Sequence, residues 1–457
     1  MAIATVNPTT GVTERSFEPL TPEELETRLV RASTGWTKLR DTSLEDRTVL
    51  LDRLADILDD EVDRMAAVMT TEMGKTLASA KAEVRKCALG CRYYAKNAAA
   101  MLAAEPADAT AVGAARAEVR YQPLGVVLAV MPWNFPAWQA IRFIAPALAA
   151  GNAVLLKHAS NVPQSALLIE ELVSRAGFPE GAMQTLLITS DQVASVLRDD
   201  RVAAATLTGS ENAGRAVASV AGEQLKKMVL ELGGSDPFIV LPSADVERAA
   251  EVAVTARTQN NGQSCIAAKR FIVHQDVYEA FADAFVSRMA ALRVGDPTDP
   301  ETEVGPLASR SGVAEMTELV EDAKSKGARV LCGGAALEGD GWFYPPTVVA
   351  DISTDMRLFH EEAFGPLASL YRVASLDEAI DLANATRFGL GSSVWTDDDD
   401  EVAHCVESIE SGAVFVNGMT ASFPELPFGG VKLSGYGREL SLYGLREFCN
   451  AKTVWVR

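Results

Sequence analysis

Cys265 stands in the segment NNGQSCIAAKR, after a polar, glycine-containing loop and just before the β-branched run RFIVH. A cysteine at such a junction can face a cleft, and its thiolate is a strong nucleophile toward carbonyl carbon. The competing reading is an ordinary half-buried thiol, since free cysteines commonly just pack. Glu231, in LELGGSDPFIVL, precedes Gly233 and Gly234. A carboxylate beside paired glycines can sit where backbone closely approaches a ligand, and burial that raises its pKa makes it a general base for water. Asn134 lies in MPWNFPAWQ, held among Pro132, Trp133, Phe135, Pro136 and Trp138. An amide fixed in this way can stabilise an oxyanion, or it can cap the following helix. The segment TLTGSENAGRAV places Gly209 and Ser210 at a helix start, where backbone N–H groups favour a phosphate. It is not the GxGxxG fingerprint.

These residues need elements to position them. Residues Thr21 to Ala104 read as helices, with Leu50, Leu51, Leu54, Ile57 and Leu58 at helical spacing, and TPEE marks a start with Thr21 as N-cap. From Arg120 the texture changes. GVVLAVMP and NAVLLKH read as buried strands around the helix WQAIRFIAPALAAG, which Gly151 closes. SALLIEELVSRAG (helix), QTLLIT (strand), VASVLRDD (helix) and AAATLTG (strand) follow. A second alternating block after Leu232 holds FIVL, a helix from Val246 to Asn260, FIVH and the helix YEAFADAFVSRMAAL. This alternation predicts two α/β domains with parallel sheets, divided near Glu231 to Gly234.

Composition narrows the function classes. The chain has 457 residues, too many for a single core, and 48% of them are hydrophobic. Lys plus Arg number 42 against 62 Asp plus Glu, a formal charge of −20 that disfavours nucleic acid and anionic lipid as partners. There is no secretory pattern and no apolar run of membrane-spanning length, so a cytoplasmic location is expected. The cysteines (Cys87, Cys91, Cys265, Cys332, Cys405, Cys449) and the scarce histidines (His158, His274, His360, His404) lack ligand spacing, so no metal is expected.

Taken together, PWNFP, LLKHAS, LTGS, LELGGSDPFIVL, NNGQSCIAAKR, EEAFGPLAS and PELPFGGVKLSGYGRE resemble the aldehyde dehydrogenase superfamily, in its order and approximate spacing along essentially the whole chain. KHASNVP, NGMTASFPELPFGG and the WQAIR stretch are similar to its short bacterial succinate-semialdehyde dehydrogenases. The resemblance implies a Rossmann-like cofactor domain (1–104 and 125–230), a catalytic domain (231–430), and an oligomerisation flap with a C-terminal arm (105–124 and 431–457). It implies a homodimer or homotetramer. It also assigns roles: Cys265 as nucleophile, Glu231 as base, Asn134 with the Cys265 backbone N–H as oxyanion donors, and Glu439 as a proton relay. The implied course is thiolate attack, hydride loss to a nicotinamide, and hydrolysis of the thioester by water that Glu231 deprotonates. Relatives that transfer the acyl group to coenzyme A typically lack the base, so Glu231 points to a free acid.

For the cofactor, the family positions fall on Lys157 (adenosine ribose), Ser210 (pyrophosphate), and Glu362 with Phe364 (nicotinamide ribose). Trp133, Gly209, Leu232 and Gly233 are expected to line the same site. NAD-preferring relatives often carry glutamate three residues after the lysine, where this chain has Ser160. A carboxylate would repel a 2′-phosphate and a hydroxyl can donate to it, so NADP is expected over NAD, with NAD usable. For the substrate, Arg142 lies one helical turn from Trp138, on the helix that lines the family's tunnel. There it is expected to bind a distal carboxylate, with Ser422 as second donor and Trp138 and Gln139 as wall. This favours succinate semialdehyde. Glutarate semialdehyde differs by one methylene, worth only about 1–3 kcal/mol. A general aliphatic aldehyde, a catalytically silent relative or a cofactor-free cysteine hydrolase are the other readings. Ala267 stands where some relatives carry a second, redox-switching cysteine.

Overall fold

The computed structural model describes residues 2–457, which form two doubly wound α/β layers and a small β-sheet. An unanticipated antiparallel hairpin, Ile3–Asn7 with Val12–Phe17, opens the chain. Four helices follow: Pro22–Asp41, Leu44–Asp60, Val62–Met73 and Leu77–Met101. Thr21 does cap the first of them, in a capping box with Glu24. The apolar faces of Leu44–Asp60 and Leu77–Met101 pack on the helix Trp138–Ala150, every residue of which is buried. Gly151 ends that helix at φ 96°, a left-handed conformation that glycine adopts without a side-chain clash.

The first sheet has six strands, in the spatial order Gly435–Tyr436, Lys227–Glu231, Val202–Thr208, Val126–Met131, Ala153–His158 and Met183–Thr185. All neighbours pair in parallel except Gly435–Tyr436, which comes back antiparallel from near the chain end. The last strand is shorter than QTLLIT suggested, because Leu186 pairs only through its backbone N–H with Leu156. Chain order reverses between Val126–Met131 and Val202–Thr208. This is the switch point outside whose carboxyl ends doubly wound sheets bind ligands. PWNFP and Gly209-Ser210 are the two strand exits at that point.

The second sheet has seven strands, and Pro237–Val240 and Arg270–His274 lie side by side near its middle. Only Arg329–Cys332 runs antiparallel to its neighbour. Phe238, Phe271, Phe281 and Phe285 fill the core under one face. A third sheet joins Glu105–Pro106, Arg116–Pro123 and Cys449–Val456, pairing a mid-chain ribbon with the C-terminus. No helix among the described residues is long and apolar enough to cross a membrane.

Candidate active site

The two sheets face each other across a cleft of about 570 Å³. The first contributes its carboxyl ends. The second contributes its amino ends: the loops before Pro237, Arg270, Leu367 and Ser392. Ten of the residues singled out in the sequence line this cleft: Trp133, Asn134, Gln139, Gly209, Ser210, Leu232, Gly233, Cys265, Glu362 and Phe364. Pro132, Thr208, Arg387 and Phe388 also line it and were not foreseen.

The loop that presents Cys265 has an unusual backbone. Asn260 (φ 56°), Asn261 (φ 58°) and Gly262 (φ 74°) are successive left-handed residues, where the helix predicted to run to Asn260 has stopped at Thr258. Asparagine tolerates this region because its short amide can bond locally. Here both amides are tied to distant segments. Asn261 Nδ2 donates to the carbonyls of Gly74 (2.9 Å) and Pro306 (3.0 Å). Asn260 Nδ2 donates to the carbonyls of Asn134 (2.6 Å) and Gln263 (3.0 Å). Asn134 Nδ2 donates to the same Gln263 carbonyl at 3.0 Å, and its second N–H has no acceptor among the described residues. The amide and the thiol are thus mounted on one frame.

PWNFP is held from below. Buried Glu83 accepts the N–H groups of Ala137 (2.8 Å) and Trp138 (2.9 Å) and pairs with buried Lys75. Glu83 therefore caps the helix that Asn134 was an alternative candidate to cap. Lys269, quoted in the Cys265 segment but given no role, straps the loop. Its Nζ donates to the carbonyls of Ser264 (2.8 Å) and Cys265 (2.7 Å) and lies 3.1 Å from Glu362 Oε1. Gly233 leaves room for Glu362 as it is placed, since a Cβ there would lie 2.3 Å from Glu362 Oε2 and displace that side chain.

Burial pushes the Cys265 thiol up to about 12, opposed by the charges of Arg142 and Lys269. In the free protein it is a protonated thiol, so attack on a carbonyl requires a base. Glu231 ends the strand Lys227–Glu231 and is 2% exposed, and neither carboxylate oxygen has a hydrogen-bond partner among the described residues. Burial first, then the neighbouring Glu439, hold its pKa well above the usual carboxylate range. Room for its carboxylate comes from Gly429 in PELPFGG, where a Cβ would sit 2.6 Å from Oε1.

The structure departs from expectation at Arg142. The guanidinium expected to meet a substrate carboxylate lies instead in a buried ion pair, its Nε 2.5 Å from Glu439 Oε2. It stacks over Phe428 (4.8 Å) and is 3.4 Å from Thr208 Oγ1. Burial raises the Glu439 pKa and Arg142 lowers it, and the charge of Arg142 also lowers that of buried Glu231. Ser422 and Trp138 do meet, Trp138 Nε1 donating to Ser422 Oγ at 3.0 Å. A third partner, Lys86, was missed. Its Nζ donates to the same hydroxyl at 2.8 Å across 336 residues of sequence, a separation no local pattern reveals.

Near the carboxyl end of the strand Ala153–His158, Lys157 is 9% exposed and has no hydrogen-bond or ion-pair partner among the described residues. Burial lowers its pKa. A buried ammonium without an anion is costly and fits a phosphate or ribose ligand. Ser160 is fixed by its carbonyl, which accepts the Ala4 N–H at 2.9 Å. Ser210 caps the helix Glu211–Glu223, and Trp133 meets Phe364 edge-on at 5.7 Å. These residues fit a dinucleotide bearing phosphates.

Comparison with known proteins agrees with this geometry. Residues 1–454 match the model of the aldehyde dehydrogenase family, and the chain belongs to that family. It is 61% identical over 456 residues to the succinate-semialdehyde dehydrogenase [NADP(+)] 1 of Mycobacterium bovis, with 100% of both chains covered. A succinate-semialdehyde dehydrogenase [NADP(+)] of Mycolicibacterium paratuberculosis is 62% identical over 457 residues, covering 100% of this chain and 97% of the relative. Among solved structures, succinic semialdehyde dehydrogenase from Streptococcus pyogenes in complex with NADP+ superposes with a TM-score of 0.96 at 39% identity, covering 100% of each chain.

Proposed function

We propose that this protein oxidises succinate semialdehyde to succinate with NADP as the preferred cofactor and NAD as a usable one. The observation that carries the reading is one cleft lined by Cys265, by Asn134 and by Leu232 and Gly233, directly after the strand end where the buried carboxylate of Glu231 has no hydrogen-bond partner among the described residues. The NADP-dependent relatives that match end to end support the same substrate and cofactor. When bound, the dinucleotide supplies the hydride acceptor. Glu231 takes the Cys265 thiol proton and passes it on to solvent as Sγ attacks the aldehyde carbon, and the thiohemiacetal oxyanion is met by Asn134 Nδ2 and the Cys265 backbone N–H. Loss of hydride leaves a thioester on Cys265. Glu231 takes a proton from water, the resulting hydroxide adds to the thioester, and succinate leaves as the thiol re-forms. Arg142 and Glu439 set the charge around that base.

Trp133, Gly209, Ser210, Leu232, Gly233, Glu362 and Phe364 are the proposed walls of the dinucleotide site. Lys157 and Ser160 are proposed to take the adenosine end, with Ser160 admitting a 2′-phosphate. The domain division at Glu231, with 105–124 and 431–457 as an oligomerisation unit, is part of the same reading. Trp455 (49% exposed) and Val456 (38%) on the third sheet are proposed to meet a second subunit, in a homodimer or homotetramer. Six free thiols suit a cytoplasmic setting. Steady-state reduction of NADP and NAD, with succinate semialdehyde, glutarate semialdehyde, butanal and benzaldehyde, tests the reading, with Cys265→Ala as blank. The highest kcat/KM is expected for succinate semialdehyde with NADP. A higher value for an uncharged aldehyde would refute the substrate, and a higher value with NAD the cofactor.

A further inference from the structure

The dinucleotide proposed above carries an anionic pyrophosphate, yet the cleft that takes it is lined by the carboxylates of Glu211, Glu315, Glu361 and Glu362. Arg387 is the one cation lining the cleft among the described residues. Glu361 and Glu362 meet their cations in Arg357 and Lys269, neither of which lines it. Glu211 is the carboxylate that stands where a phosphate is favoured. It follows Ser210 in the first turn of the helix Glu211–Glu223, whose leading backbone N–H groups draw an anion. An anionic side chain at that point opposes the phosphate that the N–H groups attract, and a cation close by removes the opposition.

Arg387 is placed to be that cation. It stands in the loop between the helix Leu376–Asn384 and the strand Ser392–Trp395 of the second sheet, whereas Glu211 follows the strand Val202–Thr208 of the first. Its Nη2 lies 3.1 Å from Glu211 Oε1, so the pair reaches from one half of the molecule to the other across the cleft. The loop is anchored through its backbone: the Arg387 carbonyl accepts the Leu433 N–H at 2.9 Å, and the Thr386 carbonyl accepts from Lys432 Nζ at 3.4 Å. The guanidinium itself is less committed. The Arg387 side chain is 52% exposed, and an ion pair so open to water is worth little net and is readily exchanged. Glu211 also has a second cation, Arg215, 3.7 Å from its other oxygen, one helical turn on and not in the lining of the cleft. The guanidinium can therefore leave Glu211 for a phosphate without stranding the carboxylate, and its planar fork suits two phosphate oxygens.

We infer that Arg387 binds the pyrophosphate of the dinucleotide, and that Glu211 competes with the phosphate for this guanidinium. The inference rests on the proposed cofactor, and the test separates the two. Dissociation constants for NADP and for NAD are measured by calorimetry, at one salt concentration, on wild type, Arg387→Gln, Arg387→Lys and Glu211→Gln. Arg387→Gln is expected to weaken both cofactors by the same factor, about tenfold, because both carry the pyrophosphate and what is lost is a hydrogen bond to a charged group. Arg387→Lys, which keeps the charge, is expected to regain part of that loss. Glu211→Gln is expected to tighten both cofactors several-fold, since the competitor is gone. The opposite signs distinguish a phosphate ligand from a clasp: a pair that only held the two halves together would be broken by either substitution, and both would move binding the same way. Weaker binding in both Arg387→Gln and Glu211→Gln, or an Arg387→Gln that binds as wild type does, overturns the inference alone. A wild type that binds neither dinucleotide overturns the proposed function and the inference with it.

Discussion

Replacing Arg142 with methionine keeps an unbranched apolar stem, though a shorter one, and removes the cation whose charge acts on both Glu439 and Glu231. Breaking a buried ion pair from one side typically costs about 3–5 kcal/mol. Here the cost has a ceiling, because Glu439 can escape by taking a proton. With an unfolded-state pKa of about 4.3, protonation at pH 7 costs about 1.36 × 2.7, or roughly 3.7 kcal/mol. The wild type bears part of this already, since burial raises Glu439 even beside Arg142. The sign follows from linkage. A group whose folded pKa is raised contributes stability below its unfolded pKa and loses it as pH rises toward the folded value. The deficit of Arg142→Met relative to wild type should therefore be small near pH 4.5 and grow toward pH 7. The same loss raises Glu231 further, because Arg142 lowers it. Less of the base is then ionised at pH 7.5, and kcat should fall about tenfold for each further unit of pKa, recovering as pH rises. Calorimetric unfolding at pH 5.0 and 7.5, with kcat and KM measured across pH, reads both effects. A variant of unchanged stability and pH profile, with only a raised KM for succinate semialdehyde, would refute this account and return Arg142 to the role of carboxylate anchor.

Other consequences can be checked as directly. Alkylation of Cys265 in cofactor-free protein at pH 7.5 should be slower than that of free cysteine by about two orders of magnitude or more, because burial keeps the thiol protonated. The rate should keep climbing with pH, and a plateau below pH 9 would contradict the assigned environment. Gly233→Ala must displace Glu362 and should weaken dinucleotide binding by about tenfold or more, measured by calorimetry, while Cys265 alkylation stays unchanged. Ser160→Glu should lower kcat/KM with NADP by about a hundredfold and spare NAD, since a carboxylate beside a 2′-phosphate repels it. Equal losses with both cofactors would place Ser160 away from the phosphate.

What could be read in the sequence was whatever is encoded locally. Alternating apolar runs mark both sheets, Thr21 and Gly151 punctuate helices, and Cys265, Glu231 and Asn134 stand in short segments rich in proline, glycine and amide. Features made by long-range packing left no such trace. Lys86 looks like any lysine on a helix that also buries Cys87 and Cys91, and only the fold brings Ser422 to it. The partner of Arg142 is likewise hidden, because helix spacing shows which face a residue occupies and not which charge waits there. The left-handed run at Asn260 and Asn261 was masked for a different reason: the apolar spacing of the preceding helix continues smoothly up to it.

The seam between the sheets has a consequence for how the molecule matures. The thiol arrives at the amino ends of one sheet and its amide partner at the carboxyl end of the other, so neither half alone contains a working centre. The cross-links that frame the centre are specific: Asn260 to the Asn134 carbonyl, Asn134 to the Gln263 carbonyl, Asn261 to the Gly74 carbonyl. During refolding, secondary structure and both cores can form while the chain is still inert. Recovery of turnover should lag behind recovery of helix content, and the length of that lag is a clock for docking rather than for folding of either half.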